Sequence, residues 1–356
     1  MVAWLRWPEV RGLILVMVLA ALGAAAWAIR HYSSPVIEQP GQIVDEALAL
    51  IQAHALAAEG KDWPPLQAAA RARAELGGRE VDLDIALSQL VGALGDGHSF
   101  YMSRSQAQVF QAAPGQAQAP STALGELQAP VQGLAVLKLD GFPSIQPEQM
   151  RLAASHLRDQ LLLALAQSPC GLVLDLRANT GGNMYPMLAG LAALLPEGPV
   201  LSFEDARGRR EPLLLQNGQL RYAQTNPMGE GAEAALPSAD PAWRSHAVAV
   251  LGGPFTGSSG EMVLIAFKAR ANTRFFGQPS AGVNTGNSVH ALRHGGLLAL
   301  AGVRTLDRQG RLYSGPIAPD EISGGAQADA DTLARAARWL HSTCGAAPPA
   351  GRAAPL

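Results

Sequence analysis

Residues 246–261, HAVAVLGGPFTGSSGE, constrain the chain more than any other stretch. An apolar, β-branched run from His246 to Leu251 leads into a Gly-Gly-Pro turn. Thr256-Gly257-Ser258-Ser259-Gly260-Glu261 follows, and then MVLIAFKAR, which has the pattern of a helix. The order predicts a buried strand that hands over to a helix N-terminus. Ser258 would sit at that terminus, where unpaired N–H groups and the positive end of the helix dipole stabilise a developing oxyanion. Two roles fit it from this stretch alone. It is a nucleophile, or it is the cap of a Ser-x-x-Glu capping box in which Glu261 reaches back to the cap.

The rest of the chain places that unit in an alternating pattern. From Gly133 onward, GLAVLKL reads as a strand and Pro147 to Gln167 as a helix with proline at its start. GLVLDLR (171–177) and Thr273–Phe276 read as strands, and Met184–Leu195 as a helix. Residues 288–303 look like a hairpin turning at His294-Gly295-Gly296, and Asp329–His341 is the last helix. Residues 206–245, rich in glycine and proline, read as irregular. The alternation predicts an α/β core over 131–345. Ahead of it, residues 42–95 read as three helices: IVDEALALIQAHALAA, a second starting at Asp62-Trp63-Pro64-Pro65, and Asp82–Leu94. They predict a small helical domain (40–102) that ends by delivering His98 on Gly95-Asp96-Gly97-His98-Ser99. Residues 103–130, rich in Gln, Ala and Pro, read as a linker or a long flexible loop.

Residues 12–29 form an uncharged apolar run that would span roughly 27 Å as a helix, enough for a bilayer core. Arg6 and Arg11 before it and Arg30 after it favour an inside N-terminus. Ala24-Ala25-Ala26-Trp27-Ala28 also fits a signal-peptidase site. Residues 1–30 are therefore read either as a cleaved signal or as a membrane anchor. In both cases the remainder is exported, to a periplasmic or other extracytoplasmic location, held at the inner membrane if the run is uncleaved. A net charge of -2 argues against nucleic acid as a partner. Two cysteines, Cys170 and Cys344, exclude a disulfide scaffold and a cysteine-based zinc site, while leaving room for one disulfide. His290 and His294 are four apart, but in the predicted hairpin, so they do not read as a metal pair. No cofactor and no metal are expected.

A second stretch, Asp175-Leu176-Arg177-Ala178-Asn179-Thr180-Gly181-Gly182-Asn183, follows a predicted strand and precedes a predicted helix. Paired glycines there let the backbone approach a ligand and aim N–H groups at it. Four features then come together: Asp-Leu-Arg-x-Asn-x-Gly-Gly; Ser-x-x-Glu about 80 residues on; Gly277-Gln278-Pro279-Ser280-Ala281-Gly282; and Pro319-Asp320. Together they resemble the C-terminal processing (tail-specific) serine peptidases, whose relatives include the tricorn-type peptidases and the retinoid-binding interphotoreceptor protein. The resemblance covers about residues 40–322. It implies a core related to the crotonase and Clp-protease folds, and hydrolysis of peptide bonds through a serine. By motif the nucleophile is Ser258 rather than Ser259. The oxyanion hole would be the backbone N–H of Ser259 plus one from Gly181 or Gly182.

The chain departs from that family at one position. Where the processing peptidases carry a lysine base, this chain has Val283. Its three lysines do not substitute: Lys268 is about 15 Å along the helix that starts at Ser258, Lys138 lies in an earlier strand, and Lys61 in the helical domain. His98 fills the gap, as in the tricorn branch, because a neutral imidazole with a pKa near ~6.5 can take the serine proton at neutral pH. Asp320 is the candidate orienting acid, with Glu321, Asp307 and Asp96 as alternatives. About 34 residues separate His98 from Gly133, too few for the PDZ domain that many family members carry there. The chain thus reads as an exported or membrane-tethered serine-type peptidase acting on a peptide or protein. The rival is a catalytically inactive ligand- or peptide-binding protein on the same scaffold.

Overall fold

The computed structural model describes residues 33–111, 123–223, 227–228, 241–323 and 328–346. The apolar run 12–29 lies outside them, as do residues 112–122 of the predicted linker. Among the described residues no helix is long and apolar enough to cross a membrane. In chain order the elements are α1 (Pro40–His54), α2 (Trp63–Glu75), α3 (Glu80–Gly92), β1 (Phe100–Met102), α4 (Arg104–Gln111), β2 (Glu126–Val131), β3 (Leu134–Lys138), α5 (Pro147–Gln167) and β4 (Leu172–Asp175). They continue as α6 (Met184–Gly190), β5 (Gly198–Asp205), β6 (Arg210–Gln216), β7 (Gln219–Arg221), β8 (Val248–Gly252), α7 (Ser259–Lys268), β9 (Thr273–Gly277), β10 (Thr285–Ala291), β11 (Leu297–Asp307), β12 (Leu312–Tyr313), β13 (Glu321–Ile322) and α8 (Ala328–Ala346). The chain forms two compact units. Among the described residues, one holds 33–111 together with 288–301, and the other holds those from 123 to 287 and from 302 to 346.

The second unit is built on a six-stranded sheet in the order β13-β9-β8-β4-β3-β2. Strands β3, β4, β8, β9 and β13 run parallel, and β2 closes one edge antiparallel to β3. A parallel sheet must be covered on both faces, and the alternation of side chains along each strand does this. Leu172, Leu174, Val248 and Val250 point into a core shared with Leu157 and Leu161 of α5 and with Val263 and Phe267 of α7. Val173, Ala249 and Leu251 point the other way, onto Ala336, Ala337 and Leu340 of α8. Each such buried aliphatic side chain contributes about 1.5–3 kcal/mol. A disulfide between Cys170, just before β4, and Cys344 in α8 staples that last helix to the sheet.

The α/β core is as predicted, but two segments differ from the expectation. Part of the predicted linker is regular: Arg104–Gln111 is α4, and Glu126–Val131 is β2. Pro130 fits there because β2 is an edge strand, which has no second ladder to donate to. The predicted irregular region begins with β6 and β7, which form a meander with β5. Asn217 (φ 52°) and Gly218 (φ 75°) supply the tight hairpin turn. That Asn-Gly signal was present in the sequence, and the glycine-rich surroundings obscured it.

In the first unit, α1, α2 and α3 pack through Ile43, Ala47, Ile51, Leu83 and Leu87, and Leu298 and Leu300 of β11 join the same core. Strand β1 pairs with β11, Phe100 opposite Ala299. The predicted hairpin is present, closed by Leu292 N–H to the Gly296 carbonyl at 2.9 Å. Thus a hairpin nearly 200 residues downstream completes what the sequence shows as a purely helical segment.

The staple carries a prediction. Closing a chain separation of 174 residues constrains the unfolded state, and losing such a link costs about 2–5 kcal/mol. A Cys170→Ser, Cys344→Ser double variant should show that loss in denaturant titration, and added reductant should bring the wild type to the same midpoint while leaving the variant unchanged.

Candidate active site

Ser258 stands between β8 and α7 with φ 50° and ψ −119°. An L-residue pays backbone strain in that region, typically about 1–3 kcal/mol, and holds it only where the surroundings over-determine it. The surroundings do so here. Thr256, fully buried, donates its hydroxyl to the Leu176 carbonyl at 2.8 Å and accepts from Gly253 N–H at 3.0 Å. Gly257 N–H donates to the Asn179 carbonyl at 3.0 Å. A side chain on Gly260 would strike that same carbonyl at 2.6 Å, so only glycine fits. The result is a serine lifted on a sharp strand-to-helix elbow, half-buried, at the first turn of α7.

The Asp175–Asn183 stretch follows the carboxyl end of β4, the strand beside β8, and packs against this elbow. Gly181 has φ 109°, and a Cβ there would lie 2.8 Å from Ser258 Cβ and 3.2 Å from the Ser259 nitrogen. Its N–H is engaged, donating to Asn179 Oδ1 at 3.0 Å. Ser259 donates its hydroxyl to the Gly182 carbonyl at 2.6 Å. The second serine therefore ties the two loops together. Asp175 and Arg177 form a bidentate pair, at 2.9 and 2.6 Å, that stiffens the start of the stretch.

Glu261 is fully buried and collects five donors. Oε1 accepts from the Ser280 hydroxyl (2.6 Å), Gly282 N–H (2.9 Å) and Asn284 Nδ2 (3.5 Å). Oε2 accepts from Val283 N–H (2.8 Å) and from Ser258 N–H (3.2 Å). The bond to Ser258 N–H is the reaching-back half of the capping box. The other four hold residues 280–284, the loop that follows β9, against the elbow. Val283 lies beside Gly257, its Cγ2 3.3 Å from where a Cβ on that glycine would be.

The charged residues weighed from sequence have other partners. Lys268 Nζ meets Asp320 Oδ1 at 2.6 Å and lies over the Phe275 ring, and Lys138 pairs with Asp140 at 2.8 Å. Asp320 also accepts from Phe275 N–H at 2.8 Å, so one of its oxygens is held by α7 and the other by β9. Asp307 accepts from the N–H groups of Gln309 and Arg311 and from the Tyr313 hydroxyl. Glu321 pairs with Arg274 and Arg335. Asp96 closes the His98 loop. Its Oδ1 accepts from His98 N–H (3.0 Å) and Ser99 N–H (2.8 Å), and its Oδ2 accepts from the Ser99 hydroxyl (2.6 Å). Burial pulls the His98 imidazole below its usual pKa, and the nearby Asp96 charge only partly offsets this. His294 is buried with Nε2 2.9 Å from the Tyr101 hydroxyl, and His290 stacks on His54. Among the described residues no group of three acidic, histidine or cysteine side chains could hold a metal ion.

Sequence reading missed the full weight of Glu261, Asn179 and Thr256. The first was seen only as a cap, and the other two as motif letters. Their common signal is a polar residue inside an otherwise apolar or glycine-rich segment, where burial demands partners.

A strained serine at a helix N-terminus, backed by a glycine turn, fits the position of an activated serine nucleophile, and the family match assigns the class, a serine-type peptidase. The chain belongs to peptidase family S41, whose family model matches residues 133–323. A nisin-resistance protein of Lactococcus lactis subsp. lactis is 32% identical over 161 residues, 45% of this chain. The match spans only 48% of that relative's length. Among solved structures, a lipoprotein from Streptococcus agalactiae superimposes with a TM-score of 0.69 at 22% identity, covering 86% of this chain and 98% of that one. A photosystem II D1 C-terminal processing protease gives 0.51 at 15% identity, over 84% and 97%. These two share the fold.

Glu261→Gln tests the buried hub. In either orientation its amide NH2 would face at least two N–H or O–H donors, leaving them unpaired. The variant should lose about 3 kcal/mol of stability in denaturant titration, whereas a wild-type midpoint would mean that the carboxylate does not organise the loops.

Proposed function

We propose that this S41 peptidase is an extracytoplasmic enzyme that cleaves peptide bonds with Ser258 as nucleophile and His98 as general base. The observation that carries the reading is the division of labour between the two adjacent serines. Ser259 spends its hydroxyl on the Gly182 carbonyl, while Ser258 takes the strained elbow position. In the first step Ser258 Oγ attacks the peptide carbonyl carbon as the imidazole of His98 takes its proton. The same proton then passes to the leaving amine, and water repeats the sequence on the acyl-enzyme. The oxyanion would be met by Ser259 N–H and by Gly182 N–H, since Gly181 N–H is already bonded to Asn179. With Val283 in place of a lysine, the base must come from elsewhere, and His98 is half-buried with its imidazole biased toward the neutral form that a base requires. Asp96 is the acid nearest His98 in the chain, but it bonds to backbone and to Ser99.

Two observations favour an extracytoplasmic site. A disulfide persists in oxidising compartments, and the apolar run 12–29 fits a signal or an anchor. The substrate is a peptide or protein, and the relative named for nisin resistance makes nisin one peptide to try. The rival reading, a binding protein without catalysis, draws on Val283 alone.

Labelling by a fluorophosphonate separates the two. Wild type should label, Ser258→Ala should not, and His98→Ala should label at least ~100-fold more slowly. Because the His98 pKa is lowered from 6.5 and the neutral ring is active, the labelling rate should be full at neutral pH and fall with a midpoint below pH 6.5. A folded wild type that does not label would favour the binding protein.

A further inference from the structure

The loop that carries His98 has little packing to hold it. Gly95 and Gly97 both have φ 67°, and a Cβ on either would meet nothing within 4 Å. Hydrogen bonds within the Asp96 turn shape the loop, and the Ser99 hydroxyl links that turn to β11. Ser99 Oγ donates to Asp96 Oδ2 at 2.6 Å and accepts from the N–H of Ala301 at 2.9 Å. Asp96 Oδ1 in turn accepts from His98 N–H at 3.0 Å. A continuous chain of bonds thus joins β11 to the backbone of His98: Ala301 N–H, Ser99 hydroxyl, Asp96 carboxylate, His98 N–H. Ala301 is 1% exposed, so its N–H has no water to turn to if the hydroxyl is removed. The β1–β11 ladder begins one residue further on, at Phe100, so Ser99 is where the loose loop meets the rigid strand pair.

We propose that Ser99 is a positioning residue for His98. Its hydroxyl, acting as donor and acceptor at once, clamps the Asp96 turn to β11 and so fixes the base. The inference rests on His98 being the base and adds the group that sets where it stands. The same bonds act on the Asp96 carboxyl: burial pushes it up, but the donors from Ser99 and His98 outweigh this and leave it below the usual range. Without the hydroxyl, the Gly95-Asp96-Gly97 turn loses its tie to β11, directly before a histidine whose proton transfer demands tight geometry.

The experiment measures the rate constant for fluorophosphonate labelling of Ser258, and kcat and KM on a peptide that the wild type cleaves, using the full chain. Ser99→Ala should slow labelling and lower kcat at least ~10-fold with KM unchanged. Ser99→Thr, which keeps the hydroxyl, should recover most of the rate. The His98 ring resonance followed by NMR should titrate at a different pH in Ser99→Ala. Leu87→Ala, a cavity in the same unit's core, serves as the control: it should lower stability and leave the rate of the folded protein unchanged. Should Ser99→Ala not fold, Asp96→Ala removes the next link of the same chain and should give the same kcat loss. Wild-type labelling by folded Ser99→Ala, beside slow labelling by His98→Ala, would overturn the positioning role alone. Wild-type labelling by His98→Ala would remove the base itself and the proposal with it.

Discussion

The second unit depends on one buried carboxylate. Glu261 is fully enclosed in the first turn of α7 and satisfied by five donors. Burying a charge is costly unless every lone pair is met, so the residues that meet it are held in place. They are the Ser258 N–H and the loop that follows β9. The Ser280 hydroxyl extends the network by accepting from Ile317 N–H at 2.7 Å. A residue that reads locally as a helix cap is the point at which the Ser258 elbow and the 280–284 loop are tied together.

The parallel sheet explains why these pieces meet. Loops at the carboxyl ends of neighbouring parallel strands lie side by side, which is where open α/β sheets place their sites. β4, β8 and β9 are consecutive in the sheet. Their following loops carry the glycine turn, the serine elbow and the Glu261-bound segment. Asn179 stitches the first to the second through its carbonyl to Gly257, and its side chain braces the first at Gly181. Thr256 does the same through Leu176. Strain at Ser258 is the local cost of this convergence, offset by the bonds around it.

Much of this was legible in the chain. The strand–turn–helix at 246–268, the glycine pair and the missing lysine all stand in the sequence, and α5 runs from Pro147 to Gln167 as its pattern predicts. What was not legible is non-local. β2 was hidden in a Gln-Ala-Pro composition that reads as linker, and its pairing with β3 overrides that composition. Asp320 looked free to orient a base, yet it is engaged by Lys268 and Phe275, partners 52 and 45 residues away. The Cys170–Cys344 bond was open in the sequence and needed the packing of α8 on the sheet to bring the two together.

The sequence by itself determined the alternation that makes an α/β core, the serine at a helix N-terminus and the glycines that must bend beside it. Those features are local, set by side-chain periodicity and by which residues tolerate positive φ. Only the tertiary structure decided which serine is tied down and which stands on the elbow, which glycine N–H is already engaged, and what the buried glutamate holds. Hydrogen-bond partners across 20 to 80 residues of chain cannot be read from spacing, because the sheet order that brings them together is set by packing of the whole core.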